Sequence, residues 1–303
     1  MCKAFIFPGQ GSQYVGMGED LYKQSDLGKK YYEIAADILG FDLAAISFEG
    51  PDKELKQTQF TQPAIFTHSV VIDILLKEKE IVPDAVAGHS LGEFSALVSA
   101  EVLTFEDALN IVKVRSEEMA KAGTVSSGTM AAIIGGDEEQ IKQICNQDGI
   151  VVPANLNAPG QVVISGDENA VTAAIETAKE IGIRRALALN VSGAFHSPLM
   201  APAREPLSKV LNSVNFRDAK VPVYQNVTAM PIITSQEIKQ NILDQLEKPV
   251  LWSKIITNMV GDGFNEFYEP GPGKILQGLN RRICPNSPTQ SFGKLDQLVP
   301  HEV

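Results

Sequence analysis

Apolar and polar positions follow two rhythms along this chain, and their alternation reads as strands separated by helices. An apolar run at 4–7 stops at Pro8-Gly9 and reads as a first buried strand. Residues 19–39 and 63–77 carry apolar positions three and four apart, which predicts helices. A second strand is expected at 84–88 and a helix at 91–101. The next helix opens at Thr104-Phe105-Glu106-Asp107, a start like a capping box, and its apolar positions Ala108, Ile111, Val112 and Met119 share one face. Strands and helices in this order suggest a parallel sheet covered on both sides.

From Gly128 to Leu189 the rhythm changes. Strand 129–134 leads to helix 137–145, and strands 151–155 and 161–165 flank a turn at Asn157-Ala158-Pro159-Gly160. A helix follows Asp167 with Val171, Ile175, Ala178 and Ile181 on one stripe, and strand 184–189 closes the unit. The order β-α-β-β-α-β is ferredoxin-like. It reads as a small subdomain, 126–192, inserted into a larger α/β one made of 1–125 and 193–291. The larger part resumes with strand 221–226, helix 238–246 and a last strand at 265–269, and 292–303 reads as an extended tail.

Composition narrows the function classes. With 303 residues, 44% apolar and 21% charged, the chain has ample material for a core. A net charge of -11 argues against nucleic-acid binding, which needs clustered Lys and Arg, though an acidic partner could still dock on a local basic patch. Cys2, Cys145 and Cys284 are odd in number and widely spaced, so neither a metal site nor a disulfide framework is expected. No segment reaches the ~18 apolar residues of a membrane span, and the first apolar run is too short for a signal peptide. A cytoplasmic monomer away from membranes is the expectation. The glycines after Gly9 do not follow a dinucleotide fingerprint, and Gly271-Pro272-Gly273-Lys274 is only half a phosphate loop.

The chemistry concentrates in Gly88-His89-Ser90-Leu91-Gly92. A G-x-S-x-G segment between strand and helix forms a nucleophile elbow, in which tight backbone approach lifts one serine hydroxyl to the helix N-terminus. An ordinary Gly/Ser turn is the plainer alternative. A serine needs a base, and the chain offers four histidines. His301 lies in the tail, His68 in an apolar helical run that suits a core residue, and His89 beside the serine, where it would orient the loop. His196, in the glycine-bearing loop at the junction of the two proposed units, is the expected base. No carboxylate stands out as a third member, so a Ser90–His196 dyad is expected. Arg115 projects from the apolar face of its helix, and a buried guanidinium must meet an anion. Spacing leaves two choices: a core carboxylate, or the carboxylate of a bound substrate gripped bidentately.

Six ordered motifs resemble the malonyl-CoA:acyl-carrier-protein transacylase family of fatty acid and polyketide synthesis. They are Phe7-Pro8-Gly9-Gln10-Gly11-Ser12-Gln13, the elbow through Glu93, Arg115, Asn157-Ala158-Pro159-Gly160-Gln161-Val162-Val163, Gly193-Ala194-Phe195-His196-Ser197 and Tyr268-Glu269-Pro270-Gly271-Pro272-Gly273, spanning about 4–284. The resemblance implies an α/β-hydrolase-like core with a ferredoxin-like insert. It implies ping-pong transfer from malonyl-CoA to an acyl carrier protein through a malonyl ester on Ser90, with His196 as base and no cofactor. By the same resemblance the backbone N–H groups of Gln10 and Leu91 hold the oxyanion. Gln245 orients the histidine, and Arg115 pairs with the malonyl carboxylate. His89, Phe195, Met119 and Asn157 would line the substrate pocket. Phe195 would crowd an α-methyl branch, favouring malonyl over methylmalonyl. Arg281-Arg282 is either a basic contact for the carrier or a solvated pair. A serine hydrolase and an inactive carrier-binding homologue are the competing readings.

Overall fold

Four successive residues of the first strand, Ala4 to Phe7, are fully buried, the pattern of a strand in the middle of a sheet covered on both faces. The computed structural model describes residues 2–298 except Ser126 and Ser192; the boundary positions at 126 and 192, residues 299–303 and with them His301 lie outside the described residues. In chain order the strands are β1 (Cys2–Phe7), β2 (Ala85–Gly88), β3 (Gly128–Ile134), β4 (Val151–Ala158), β5 (Gln161–Asp167), β6 (Arg185–Ala188), β7 (Val223–Tyr224), β8 (Pro231–Ile232), β9 (Phe264–Pro270) and β10 (Thr289–Phe292). The larger sheet has the order β10-β9-β1-β2-β7-β8. Its pairs are parallel except β7–β8. Phe7 lies opposite Gly88, so the turn after β1 and the turn after β2 emerge side by side at the carboxyl edge, where α/β sheets bind ligands.

The smaller sheet is antiparallel, in the order β4-β5-β3-β6, with helices Glu138–Ile144 and Glu168–Glu180 between its strands. That is the ferredoxin-like arrangement. It has its own core of Ala131, Ile133, Ile144, Ile164, Val171 and neighbours. Its β4 is laced to the larger part: Leu156 N–H donates to the Val250 carbonyl and Val250 N–H to the Ala154 carbonyl, both at 2.9 Å.

Several elements differ from the sequence reading. The helix expected at 19–39 is two, Glu19–Gln24 and Asp26–Leu39. Ser25 between them is extended, and its hydroxyl accepts from Gly28 N–H to cap the second. Hydrophobic periodicity runs through this break because both helices face one core. β4 continues through Asn157 and Ala158, so the turn is confined to Pro159-Gly160. The extended tail from 292 is also corrected. Phe292 ends β10, which pairs with β9, and Leu295–Leu298 forms a 3-10 turn with Leu298 buried and Leu295 N–H donating to Asp20 at 2.8 Å. Thr289 to Phe292 shows no apolar alternation, because an edge strand is held by backbone pairing more than by side-chain burial.

The elbow tolerates no side chain at its glycines. A Cβ on Gly92 would lie 2.0 Å from the Phe7 carbonyl oxygen, and one on Gly88 would lie 2.0 Å from the Gly92 carbonyl carbon. Gly278, exposed within helix Ile275–Ile283, has open space around it. Gly92→Ala is therefore expected to destabilise by at least about 3 kcal/mol, because backbone must move. Gly278→Ala is expected to gain about 0.5–1 kcal/mol in urea or thermal unfolding. A Gly92→Ala protein as stable as the parent would contradict this packing.

Candidate active site

Ser90 sits between the end of β2 and helix Gly92–Ser99 with φ +52°, a left-handed conformation that costs a non-glycine residue about 1–2 kcal/mol. Asn226, two residues past β7, offsets that cost. Its Oδ1 accepts from Ser90 N–H at 2.7 Å, and its Nδ2 donates to the Gly88 carbonyl at 2.6 Å. Both sides of the elbow are thus held by one carboxamide. The hydroxyl is left free to point at other groups.

His196 is also left-handed, at φ +58°, and is 3% exposed. Its Nδ1 lies 2.7 Å from the main-chain carbonyl of Gln245 and its Nε2 2.8 Å from Ser90 Oγ. A carbonyl only accepts, so the proton resides on Nδ1 and Nε2 presents its lone pair to the hydroxyl. Burial, and then the nearby Arg115 charge, push the imidazole pKa down to about 3. The ring is a neutral base at neutral pH.

Arg115 is 1% exposed, on the buried face of helix Phe105–Val125. Its Nη1 donates to Gln62 Oε1 at 2.7 Å, and its Nη2 to Gln245 Oε1 at 2.9 Å and Ser90 Oγ at 3.1 Å. The Phe94 ring centroid lies 5.5 Å from its central carbon. Among the described residues no carboxylate lies within ion-pair distance of it. The buried carboxylates are otherwise engaged: Asp73 with Lys77, and Glu269 with the N–H groups of Leu276 and Gln277. Glu93 answers the guanidinium at one remove, since its Oε2 accepts from Gln245 Nε2 at 2.5 Å. The direct bridge to a core carboxylate, one of the two choices left by spacing, does not form. Burial lowers the Arg115 pKa to about 10 and raises that of Glu93 to about 7.

A cavity of about 210 Å³ opens beside Ser90 and His196. Gln10, Leu91, His89, Phe195, Met119 and Asn157 line it, so the pocket residues singled out in the sequence converge. Arg115 and Gln245 stand behind this lining, bonded to Ser90 and His196. Among the described residues neither the Gln10 nor the Leu91 N–H donates a hydrogen bond. His89 donates from Nε2 to Asn157 Oδ1 at 2.8 Å and packs near Trp252, which pins the elbow loop against β4. His68 is a core residue, donating to the Gly293 carbonyl at 3.1 Å, with its pKa pushed down to about 4 by burial. Arg282 binds Gln161 Oε1 at 2.6 Å and the Pro159 carbonyl at 3.0 Å, a structural tie to the β4–β5 hairpin that neither sequence reading foresaw. Gln62 and Asn226 were missed, and Glu93 was noted only as part of the elbow motif. Asn226 carries a signal, a polar residue at the carboxyl end of a predicted strand. Glu93 looks like an ordinary first-turn acid. Gln62, 53 residues from Arg115, carries none.

Among the described residues no group of three or more His, Cys, Asp or Glu could hold a metal, and no helix is long and apolar enough to cross a membrane. A family profile for the acyl transferase domain matches residues 4–276. The malonyl CoA-acyl carrier protein transacylase of Bacillus subtilis is 45% identical over 284 residues, 92% of this chain and 90% of that one. Its namesake from Staphylococcus aureus MRSA252 is 42% identical, with 92% of each chain covered. Among solved structures, an acyl carrier protein S-malonyltransferase from Vibrio cholerae superposes with TM-score 0.94 at 39% identity, covering 98% of this chain and 99% of that one. A malonyl-transacylase solved with its type II PKS acyl-carrier protein gives TM-score 0.94 at 39% identity, covering 98% of each chain.

A fluorophosphonate, which reacts with activated serines whatever their substrate, is expected to label Ser90. Ser90→Ala should abolish labelling, and His196→Ala should slow it by about 10²–10⁴-fold. The folded imidazole pKa lies below its ordinary 6.5, so the base form persists as pH falls. Labelling is expected to stay within about twofold between pH 7.5 and 5.5; halving near pH 6.5 would show a solvated imidazole.

Proposed function

The chain belongs to the acyl transferase family, among the malonyl-CoA:acyl carrier protein transacylases, and from that membership we propose that it moves a malonyl group from malonyl-CoA to the phosphopantetheine thiol of an acyl carrier protein. One observation carries the choice of cargo. Arg115 is buried, lacks a carboxylate among the described residues, and donates to Ser90 Oγ. A malonyl thioester brings the missing carboxylate to that cation.

The proposed reaction uses these atoms in turn. Ser90 Oγ attacks the thioester carbonyl as His196 Nε2 takes its proton. The carbonyl oxygen gains negative charge and is received by the N–H groups of Gln10 and Leu91, each such donor being worth about 10²–10³ in rate. The C–S bond then breaks, His196 returns the proton to the departing thiolate, and a malonyl ester remains on Ser90. In the second half the carrier thiol gives its proton to His196, and its sulfur attacks the ester. Ser90 leaves and is reprotonated by the same imidazole. Gln245 serves this cycle twice, through its main-chain carbonyl at His196 Nδ1 and its side-chain oxygen at Arg115.

The substrate also tunes the base. The Arg115 charge helps hold the His196 pKa down. A carboxylate on the guanidinium offsets that charge and returns the imidazole toward a pKa suited to general-base work near neutrality. The Phe195 ring is buried in the cavity wall, and a bulky side chain there favours malonyl over methylmalonyl. The three free cysteines suit a reducing, cytoplasmic setting.

Incubation with malonyl-CoA is expected to add one malonyl group to the intact protein by mass spectrometry, on Ser90, and carrier protein should remove it faster than water does. Ser90→Ala should show no addition. Arg115→Ala should lose malonyl transfer by about 10³-fold, from about 3–5 kcal/mol of lost charge pairing, with acetyl transfer changed far less. Equal losses for both acyl groups, or hydrolysis as fast as transfer, would sink the proposal.

A further inference from the structure

Glu93 lies in the first turn of the elbow helix, 1% exposed, and belongs to none of the steps above. Its Oε2 accepts from Gln245 Nε2 at 2.5 Å and from Asn226 N–H at 3.4 Å. One buried carboxylate therefore joins the helix that follows the nucleophile, the end of β7 and the segment that carries Gln245. A buried carboxylate is costly unless hydrogen-bond donors answer it, and here the donors are the Gln245 carboxamide and the Asn226 main chain.

What it holds is the direction of a carboxamide. The Gln245 side chain is nearly symmetric in shape and opposite in chemistry at its two ends. Its oxygen faces Arg115 Nη2 at 2.9 Å, and its nitrogen faces Glu93 and the Ser90 carbonyl, the latter at 3.1 Å. Turned by half a rotation, the nitrogen would meet a guanidinium, which only donates. The oxygen would then meet a carboxylate and a carbonyl, which only accept. His196 is insulated from that rotation, because it is held by the Gln245 main-chain carbonyl.

We propose that Glu93 is a positioning residue for cargo selection: through the Gln245 carboxamide it keeps Arg115 aimed at the acyl carboxylate, while the base is held independently by the Gln245 main chain. The inference rests on the malonyl-transfer reading. Removing the acceptor at position 93 takes away the shortest bond to the carboxamide nitrogen and leaves it to the Ser90 carbonyl at 3.1 Å and Asn226 Oδ1 at 3.5 Å, so the Gln245 oxygen that fixes Arg115 Nη2 is held less firmly. A malonyl group needs that aim, whereas an acetyl group, which has no carboxylate, does not.

The test compares kcat/KM for acylation of Ser90 by malonyl-CoA and by acetyl-CoA in the full chain. The ratio of the two is independent of the fraction of active enzyme, so a general loss of structure does not move it. Glu93→Met is expected to lower the ratio by about 10- to 100-fold, the scale of one lost charge-assisted hydrogen bond. Glu93→Asp keeps the charge but falls one methylene short of Gln245, and is expected to lower the ratio likewise; it carries the test if Glu93→Met does not fold. Glu93→Gln keeps an acceptor oxygen and should hold the ratio within about threefold. An unchanged ratio in Glu93→Met or Glu93→Asp, or a Glu93→Gln as impaired as Glu93→Met, would overturn the assignment. A parent protein that takes no malonyl group onto Ser90 would overturn the malonyl reading itself, which sets the two failures apart.

Discussion

A guanidinium taken out of water must have its charge answered, and in this protein the answer is spread over three segments far apart in sequence. Arg115 reaches Gln62 on helix Thr58–Glu78, Ser90 at the elbow and Gln245 at the end of helix Ser235–Asp244, and through Gln245 it senses Glu93. Desolvating a charge costs several kcal/mol, so these partners are held in place by a penalty for leaving as much as by attraction. The same cation depresses the basicity of His196 and donates to Ser90 Oγ. The guanidinium, the Ser90 hydroxyl and the His196 ring are therefore one coupled object.

Geometry at the reactive atoms depends on backbone that side-chain chemistry alone would not choose. Ser90 and His196 both adopt left-handed φ values, strain that persists only where neighbours over-determine it. At Ser90 the determinants are the crowded glycines of the elbow and the Asn226 carboxamide. At His196 they are the Gln245 carbonyl and the following Ser197, whose hydroxyl donates to the Ala194 carbonyl at 2.6 Å. His196 has no acidic hydrogen-bond partner among the described residues; the Gln245 carbonyl fixes its tautomer as an aspartate would.

The smaller sheet completes the site. Its strands β4 and β5 supply Asn157 and Val163 to the cavity wall, and β4 is bonded through its backbone to Val250, six residues from the end of helix Ser235–Asp244. The His89–Asn157 bond crosses between the sheets directly beside Ser90. The two sheets, joined where Met130, Ala154 and Val163 of the smaller one enter the main core, thus meet in the cleft where a ligand would lie, and the elbow loop is braced from both sides.

Much of this was legible from residue order. Period-2 and period-3.6 patterns report burial of one face, so the alternation of strands and helices, the β-α-β-β-α-β order and the elbow could all be read locally. So could Arg115 on an apolar face, since a lone cation there violates a local rule and violations gather at functional sites. The break at Ser25, the strand at Thr289–Phe292 and the roles of Gln62, Asn226 and Glu93 could not. Capping, edge pairing and carboxamide orientation depend on partners 3 to 152 residues away. Residue order dictates which groups must be buried and which reactive residues exist. Which polar atoms answer one another is set by the folded chain, because a hydrogen bond is a matter of distance and direction that pattern along a chain does not encode.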